Sequence, residues 1–374
     1  MLERVELLRH VTFQKDLGTY YEKTQRVQRL CSWLNEILRS HGIAVRPGVV
    51  HKAACLAKAD LTTELVKEFT ELQGVVGGLY ARAQQLDPSL PEATRMAIAD
   101  AIYDQYKPES TDDDVPRSTE GAVLSIADKA DTIAGMFALG LVPSGSKDPF
   151  ALRRQANGIV KIVAEKKLPL TVSSLMLDAR SGYRKSEAEK KFVDDETFSE
   201  SVRAFFRERL EFYLKDVRGY EYDVVEAVLA ADADDVVDAL ARAEAVKQVL
   251  HMPEFQAIGA ACKRIRNILR QAQEKGIQPG EKFEYLPEAA HEEKILAEYM
   301  ERTAGRVEEH QKKKEYLDAL ITLSTAREPV DKFFDKVMVL VEDPRVRANR
   351  LALLKTLLTE FSTIADFSAI VRSE

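Results

Sequence analysis

Cysteine is scarce. The 374 residues contain three, Cys31, Cys55 and Cys262, and their wide spacing supports neither a disulfide framework nor a zinc-finger pattern. Glycine and proline are also few, at 17 and 13, which excludes collagen-like and low-complexity chains. No apolar run approaches the roughly 18 residues that cross a bilayer as a helix. The opening MLERVELLRHVTFQKD lacks the apolar centre of a signal peptide. Positive charge is not in surplus either: 54 basic residues face 61 acidic ones, a formal net charge of −7. A strongly basic nucleic-acid coat is therefore excluded, although a local basic face is not. These absences lead to the expectation of a soluble intracellular protein of about two to three domains, at roughly 150 residues each.

Histidine is sparse where it would matter. The six are His10, His41, His51, His251, His291 and His310, with none between His51 and His251 and no His-x-x-Glu-His pair, which argues against a histidine-rich catalytic metal site. Gly-x-Ser-x-Gly, a Gly-x-x-x-x-Gly-Lys-Ser/Thr loop and a dinucleotide-binding glycine pattern are all missing. Gly74, Gly77 and Gly78 cluster after a helical segment rather than a strand, and read as a tight helix–helix turn in preference to a phosphate loop.

What is present is helical periodicity. With 45% hydrophobic and 31% charged residues, the chain has material for buried cores and a solvated surface. Val27, Leu30, Cys31, Leu34, Ile37 and Leu38 recur three and four apart, as do Leu351, Leu354, Leu358 and Phe361. Phe333, Val337 and Val341, with Phe334 and Met338 beside them, form a third stripe. Strand-like alternation is hard to find; Leu168–Val172 is the best candidate, as a strand or only a loop. The fold class is all-α. Residues 107–121, with Pro108, three successive aspartates and Pro116, read as a loop. Residues 178–197 are polar and read as a linker or solvated helix, and Asp232–Asp235 as the acidic start of a short helix.

Several segments carry a family resemblance. YEKTQRVQRL (Tyr21–Leu30), KAACLAKADLTTELVKEFTELQGVVGGLYA (Lys52–Ala81), IYDQYKP (Ile102–Pro108), SIADKADTIAGMFALG (Ser125–Gly140) and GSKDPFALRRQANGIVKIV (Gly145–Val163) are followed by KRIRNIL, PVDKFFDKVMVLVED, RANRLALL and IADFSAI. In this order the chain resembles the β subunit of bacterial-type glycyl-tRNA synthetase. The resemblance implies an HD-like helical domain over residues 1–180, then linker helices and a helical, DALR-like anticodon-binding domain over 181–374. It implies tRNA(Gly) binding in an α2β2 glycine–tRNA ligase, in the bacterial cytoplasm, with no membrane partner. No cofactor is implied in this chain; ATP and Mg²⁺ belong to the α subunit, which holds the catalytic site. The chain is shorter than a full β subunit and begins just before the HD-like domain, so a C-terminal fragment is expected.

The first half resembles the HD superfamily, whose enzymes hold a metal with His, His-Asp and a distant Asp. Aligning those slots places Lys23 at the first His, Ala57 and Lys58 at the His-Asp pair, and Asp128 at the last position. One carboxylate is not a metal site, so no catalytic residue and no metal are expected. Lys23 and Lys58 either bind a phosphate, or Lys58 pairs with Asp128.

The basic segment ACKRIRNILRQAQEK is the leading nucleic-acid surface. At about 100° per residue, Ala261, Cys262, Ile265, Ile268 and Leu269 share one face. Lys263, Asn267 and Arg270 lie opposite, with Arg264 and Arg266 on the flanks, joining phosphate-neutralising cations to a base-reading amide. Arg347, Asn349 and Arg350, with Arg345, form a second basic cluster ahead of a leucine-rich helix that Asp343 or Asn349 caps. Arg350 either binds RNA or braces the packing through Asp331 or Asp335. Asp148 and Pro149 read as the start of a helix from which Arg153 and Arg154 project toward tRNA or neighbouring acids. Tyr20, Tyr21 and Trp33 read as core aromatics rather than base-stacking ones. Two other function classes remain: a metal-dependent HD phosphohydrolase, and a non-catalytic subunit-contact scaffold.

Overall fold

The structure, a computed structural model, describes residues 1–84 and 89–369. Its helices fall into two compact units. The first comprises Met1–Tyr213 with Asp234–Val237, and the second Leu214–Ala233 with the chain from Asp238 onward. The first unit contains α1 (Leu2–Leu7), α2 (Tyr20–Ser40), α3 (Pro47–Leu56), α4 (Glu64–Glu68), α5 (Val75–Ala83), α6 (Glu92–Tyr103), α7 (Thr119–Ala138), α8 (Leu152–Lys166), α9 (Val172–Ser181) and α10 (Asp195–Phe212). There follow α11 (Tyr222–Ala231), α12 (Val236–Val249), α13 (Pro253–Glu274), α14 (His291–Lys312), α15 (Tyr316–Ser324), α16 (Arg327–Lys336) and α17 (Pro344–Phe361). The named strands are two short antiparallel ones, β1 (Thr12–Gln14) and β2 (Gly18–Thr19). Leu168–Val172 is not a strand; only Thr171 makes an isolated bridge, to Asp235. No helix of the described residues is long and apolar enough to cross a membrane.

The first unit is built around α7. From Glu120 to Ala138 every residue of this helix is buried, and α2, α3, α6, α8, α9 and α10 all pack on it. Gly121, Ala122, Ala127, Ala130, Ala134 and Gly135 keep its girth small enough for so many neighbours. Local signals set the helix starts. Thr19 and Glu22 form a reciprocal capping box at α2, Ser118 caps α7, and Asp343 accepts the Arg345 and Val346 amides at α17. The α2 stripe is buried as expected at Val27, Leu30, Cys31, Leu34 and Leu38. The third stripe breaks instead: α16 ends at Lys336, and Met338 is 73% exposed.

Residues 178–197 are not a linker between domains. Tyr183 is buried there and its hydroxyl donates to the Asp131 carbonyl of α7 at 3.0 Å. Beyond it, α10 buries Phe198, Val202, Phe205, Phe206 and Leu210, with Phe205 meeting Phe137 of α7 at a ring-centroid distance of 4.9 Å. One anchoring tyrosine and an apolar stripe outweigh the polar composition. The units therefore divide after Tyr213, not near residue 180. Asp232–Asp235 lead directly into α12, as expected, although that helix is long rather than short; the Asp234 carboxylate also accepts the Ser173 amide at 2.8 Å, at the start of α9.

The glycine cluster is a turn and a packing device. Gly74 sits at φ +82°, which favours glycine, and the buried Asp60 carboxylate accepts the amides of Gly74 (2.6 Å) and Gly77 (3.1 Å) at the start of α5. An internal anion thus fills the helix N-terminus. A Cβ on Gly78 would lie 2.6 Å from the Tyr103 Cβ and 2.9 Å from the Ala99 carbonyl oxygen, so α5 and α6 touch backbone to backbone. Gly78→Ala is therefore expected to destabilise the protein by about 1–3 kcal/mol of overpacking, more than the gain in helix propensity returns. Urea unfolding of the variant against wild type measures this; an unchanged or raised midpoint would show that the two helices separate freely.

Candidate functional site

The HD-like slots converge in the first unit. Lys23, in the first turn of α2, is buried, and its Nζ donates to the Asp128 carbonyl (3.0 Å), Thr132 Oγ1 (2.8 Å) and Asp131 Oδ2 (3.2 Å). It also lies 3.2 Å from Asp128 Oδ1. Lys58, just past α3, donates to Asp128 Oδ2 at 2.8 Å and lies 4.0 Å from the centroid of the Tyr106 ring. Ala57 is buried beside it and brings no ligand atom. Asp131, one turn after Asp128, is held by Arg26 through two bonds of 2.7 and 3.2 Å. Burial would raise the Asp128 carboxyl, but the Lys23 and Lys58 ammonium groups outweigh it and hold the group well below the usual carboxylate range.

This donor set does not fit a divalent metal. A cation needs several anionic or neutral donors aimed at one point. Here both carboxylate oxygens of Asp128 face ammonium groups, and no histidine stands in any of the four slots. Among the described residues the ligand atoms of His310, Glu315 and Asp318 come together, at an exposed turn after α14 in the second unit. There His310 is engaged with Glu315 at 2.9 Å.

Lys23, Lys58 and Asp128 line a cavity of about 310 Å³ together with Lys129, Arg154, Glu109 and the rings of Phe13, Tyr20, Tyr106 and Phe150. Lys129 is buried, and its Nζ donates to the Tyr106 and Lys107 carbonyls (3.0 and 3.1 Å) and to Ser125 Oγ (2.7 Å). Burial pushes this lysine down to about 7. Arg154 arrives from α8, whose start differs from the expected one. The helix begins at Leu152, and Asp148 caps it from outside by accepting the Leu152 and Arg153 amides at 2.8 and 3.0 Å. That geometry leaves Arg153 half-buried and Arg154 exposed. Tyr20, Tyr21 and Trp33 are half-buried rather than core.

In the second unit α13 buries Phe255, Ile258, Ala261, Cys262 and Ile265, which turns the expected polar side outward. Arg264, Arg266, Asn267 and Arg270 are exposed and Lys263 is half-buried. Arg264 lies 4.2 Å from the centroid of the Phe334 ring, Arg266 pairs with Asp366 at 2.7 Å, and Arg270 donates to Asn267 Oδ1 at 3.2 Å. The second basic cluster is largely internal. Asn349 is buried, accepting the Glu284 amide at 2.7 Å and donating to its carbonyl at 2.9 Å. Arg350 grips the fully buried Glu293 at 2.7 and 2.8 Å and donates to the Met338 carbonyl at 2.7 Å. It braces packing, with Glu293 as its carboxylate rather than Asp331 or Asp335. Arg347 is half-buried and donates to the Val341 carbonyl at 3.1 Å.

Sequence reasoning missed Asp131, Lys129 and Glu293. Asp131 had a signal, since it stands one turn from Asp128 just as Arg26 stands one turn from Lys23. Glu293 had none, because its partner is 57 residues away.

Comparison with known proteins bears on both units. Residues 1–230 match the family model described as glycyl-tRNA synthetase beta subunit, and residues 258–366 match the DALR anticodon binding domain. A glycine–tRNA ligase beta subunit from Acidobacterium capsulatum is 50% identical over 379 aligned residues, covering 100% of this chain and 51% of that protein. Those from Syntrophus aciditrophicus and Halothermothrix orenii are 40% and 38% identical, covering 99% and 98% of this chain. The chain spans about half the length of the curated relatives it matches.

Two outcomes follow from the buried charges. Asp128→Ala leaves two enclosed ammonium groups without their shared carboxylate and is expected to cost about 3–5 kcal/mol. Lys58→Met is expected to cost less, because Lys23 still faces Asp128. Urea unfolding monitored by hydrogen exchange in α7 separates the two; equal losses would show that the carboxylate is not the shared element. The second outcome concerns pH. Between pH about 7 and the ordinary lysine value of 10.5, the unfolded chain binds the Lys129 proton and the folded protein does not, so stability rises with pH across that window. Relative to Lys129→Met, wild type is expected to gain stability as pH rises from about 7 towards 10.5. A pH-independent difference would show that Lys129 stays protonated inside the fold.

Proposed function

The chain belongs to the glycyl-tRNA synthetase beta subunit family, and from that premise we propose that it binds tRNA(Gly) as part of a glycine–tRNA ligase. The observation that carries the reading is the outward face of α13, which lies mostly within the residues matching the anticodon-binding model. There Arg264 and Arg270 stand ready to neutralise phosphates, and Arg266 joins them by exchanging its Asp366 partner for a phosphate. Asn267 sits among them; its amide oxygen holds Arg270 while its amide nitrogen remains a donor for a base edge. Lys263 adds a cation at the border of the buried face. Arg153 and Arg154 are a basic pair of the first unit; Arg347, Asn349 and Arg350 are assigned to the scaffold that holds the anticodon-binding helices.

In this reading the partner is an α subunit in an α2β2 assembly. ATP, Mg²⁺ and the activation of glycine are placed on that subunit, and this chain supplies tRNA capture without a catalytic group. The division of labour agrees with Lys23, Ala57 and Lys58 standing where an HD hydrolase needs ligands, which counts against the phosphohydrolase alternative.

Filter binding or calorimetry with tRNA(Gly) over a series of salt concentrations tests the surface. Arg264→Ala/Arg270→Ala is expected to weaken binding to any tRNA and to flatten the salt dependence by about one unit per lost phosphate contact. Asn267→Ala is expected to cost roughly 1–3 kcal/mol, mainly against the cognate anticodon. Both cationic side chains are exposed, so helix content stays unchanged. A folded double variant with wild-type affinity and salt slope would reduce this face to ordinary solvated surface and leave the scaffold reading.

A further inference from the structure

The segment after α16 plays no part in the reading above. There Val337 and Val339 are buried, whereas Met338 between them is 73% exposed, more than any other large apolar side chain of the described residues. Its backbone is not free to turn it inward. The Met338 carbonyl accepts from Arg350 Nη1 at 2.7 Å, and Arg350 is itself fixed by two bonds to the fully buried Glu293. On one side the Val337 amide donates to the Phe333 carbonyl at 2.8 Å; on the other Arg347 holds the Val341 carbonyl at 3.1 Å. A scattered apolar residue on a surface needs no explanation. One whose backbone is pinned so that its side chain stays in water is a different case, because the surrounding bonds maintain the exposure.

The position of Met338 is the second observation. Phe334, four residues earlier, is half-buried and carries the Arg264 guanidinium 4.2 Å from its ring centroid. Even fully extended, the chain from Phe334 to Met338 spans at most about 14 Å. One short loop of RNA lying on Arg264 therefore reaches Met338 as well.

We propose that Met338 is a wedge that enters the stack of anticodon-loop bases and holds two neighbours apart, an inference that rests on the tRNA reading of the α13 face. Bases in a single-stranded loop are read once they are splayed and their edges are open. Asn267 can offer a donor to such an edge, but nothing on α13 separates one base from the next. The Met338 side chain is suited to that task. It is unbranched and polarizable, so it slides between base planes, and methionine is among the apolar residues that unstack base steps in other nucleic-acid complexes. Arg350 holds the wedge in place before RNA arrives, so little ordering is left to be done on binding. A thioether carries no charge. Its contribution is therefore independent of salt, unlike that of the arginines beside it.

The test uses the full 374-residue chain and tRNA(Gly) carrying, in its anticodon loop, a fluorescent base analogue that stacking quenches. An anticodon-swapped transcript is the control. Wild type is expected to bind tRNA(Gly) with a rise in fluorescence. Met338→Ala is expected to weaken binding about threefold to tenfold and to lose most of the rise, with an unchanged salt slope and circular dichroism spectrum. Met338→Leu, which still fills the step, is expected to keep most of both. Asn267→Ala is expected to weaken binding and yet retain the rise, which separates reading a base from prising it loose. A folded Met338→Ala variant with wild-type affinity and fluorescence would overturn the wedge and leave anticodon-dependent binding, and with it the α13 reading, intact. A loss of affinity accompanied by a flatter salt slope would also overturn it, since that marks a phosphate contact. Wild-type binding that ignores the anticodon would remove the α13 reading itself, and the wedge with it.

Discussion

A helix enclosed on all sides leaves its charges nowhere to go. α7 carries Glu120, Asp128, Lys129 and Asp131 through the centre of the first unit, where an uncompensated charge is prohibitive. Each is answered by a different neighbour. Arg46 at the start of α3 meets Glu120 at 2.7 Å, Lys58 meets Asp128, and Lys23 and Arg26 of α2 meet Asp131. The carbonyls of Tyr106 and Lys107 receive Lys129. Hydrophobic burial provides the drive to assemble these helices but fixes neither their rotation nor their register. The charge partners supply that specificity, because a helix slid by one turn would strand a carboxylate in an apolar wall.

The second unit uses the same logic once removed. Arg242 is buried and spends its guanidinium on the Val228, Asp232 and Ile364 carbonyls and on Asp238, so the open end of α11 and the segment after α17 are tied to one side chain. Arg350 does the same for Glu293 at the head of α14. Arginines that look available in a list of basic residues are therefore of two kinds, and only burial separates them. Those of α13 are exposed because the apolar stripe of that helix forces the opposite side into solvent.

The helical class, the main stripes and the cap at Asp343 were legible in the sequence because they depend on residues a few positions apart. So was the meeting of Lys23, Lys58 and Asp128, though only through resemblance to a fold in which those positions converge. Illegible were features set by single long-range contacts. Tyr183 turns a segment of charged residues into an anchored part of the first unit, and Glu293 draws Arg350 inward. The placement of Arg154 at the cavity depended on the helix starting four residues after Asp148 instead of at Pro149.

The carboxylate shared by two lysines also bears on how this protein can change over generations. Replacing Lys23, Lys58 or Asp128 alone leaves a buried charge short of a partner, so each single step is selected against even where the final combination would be as stable as the present one. On this physics the three positions are expected to change together rather than one at a time.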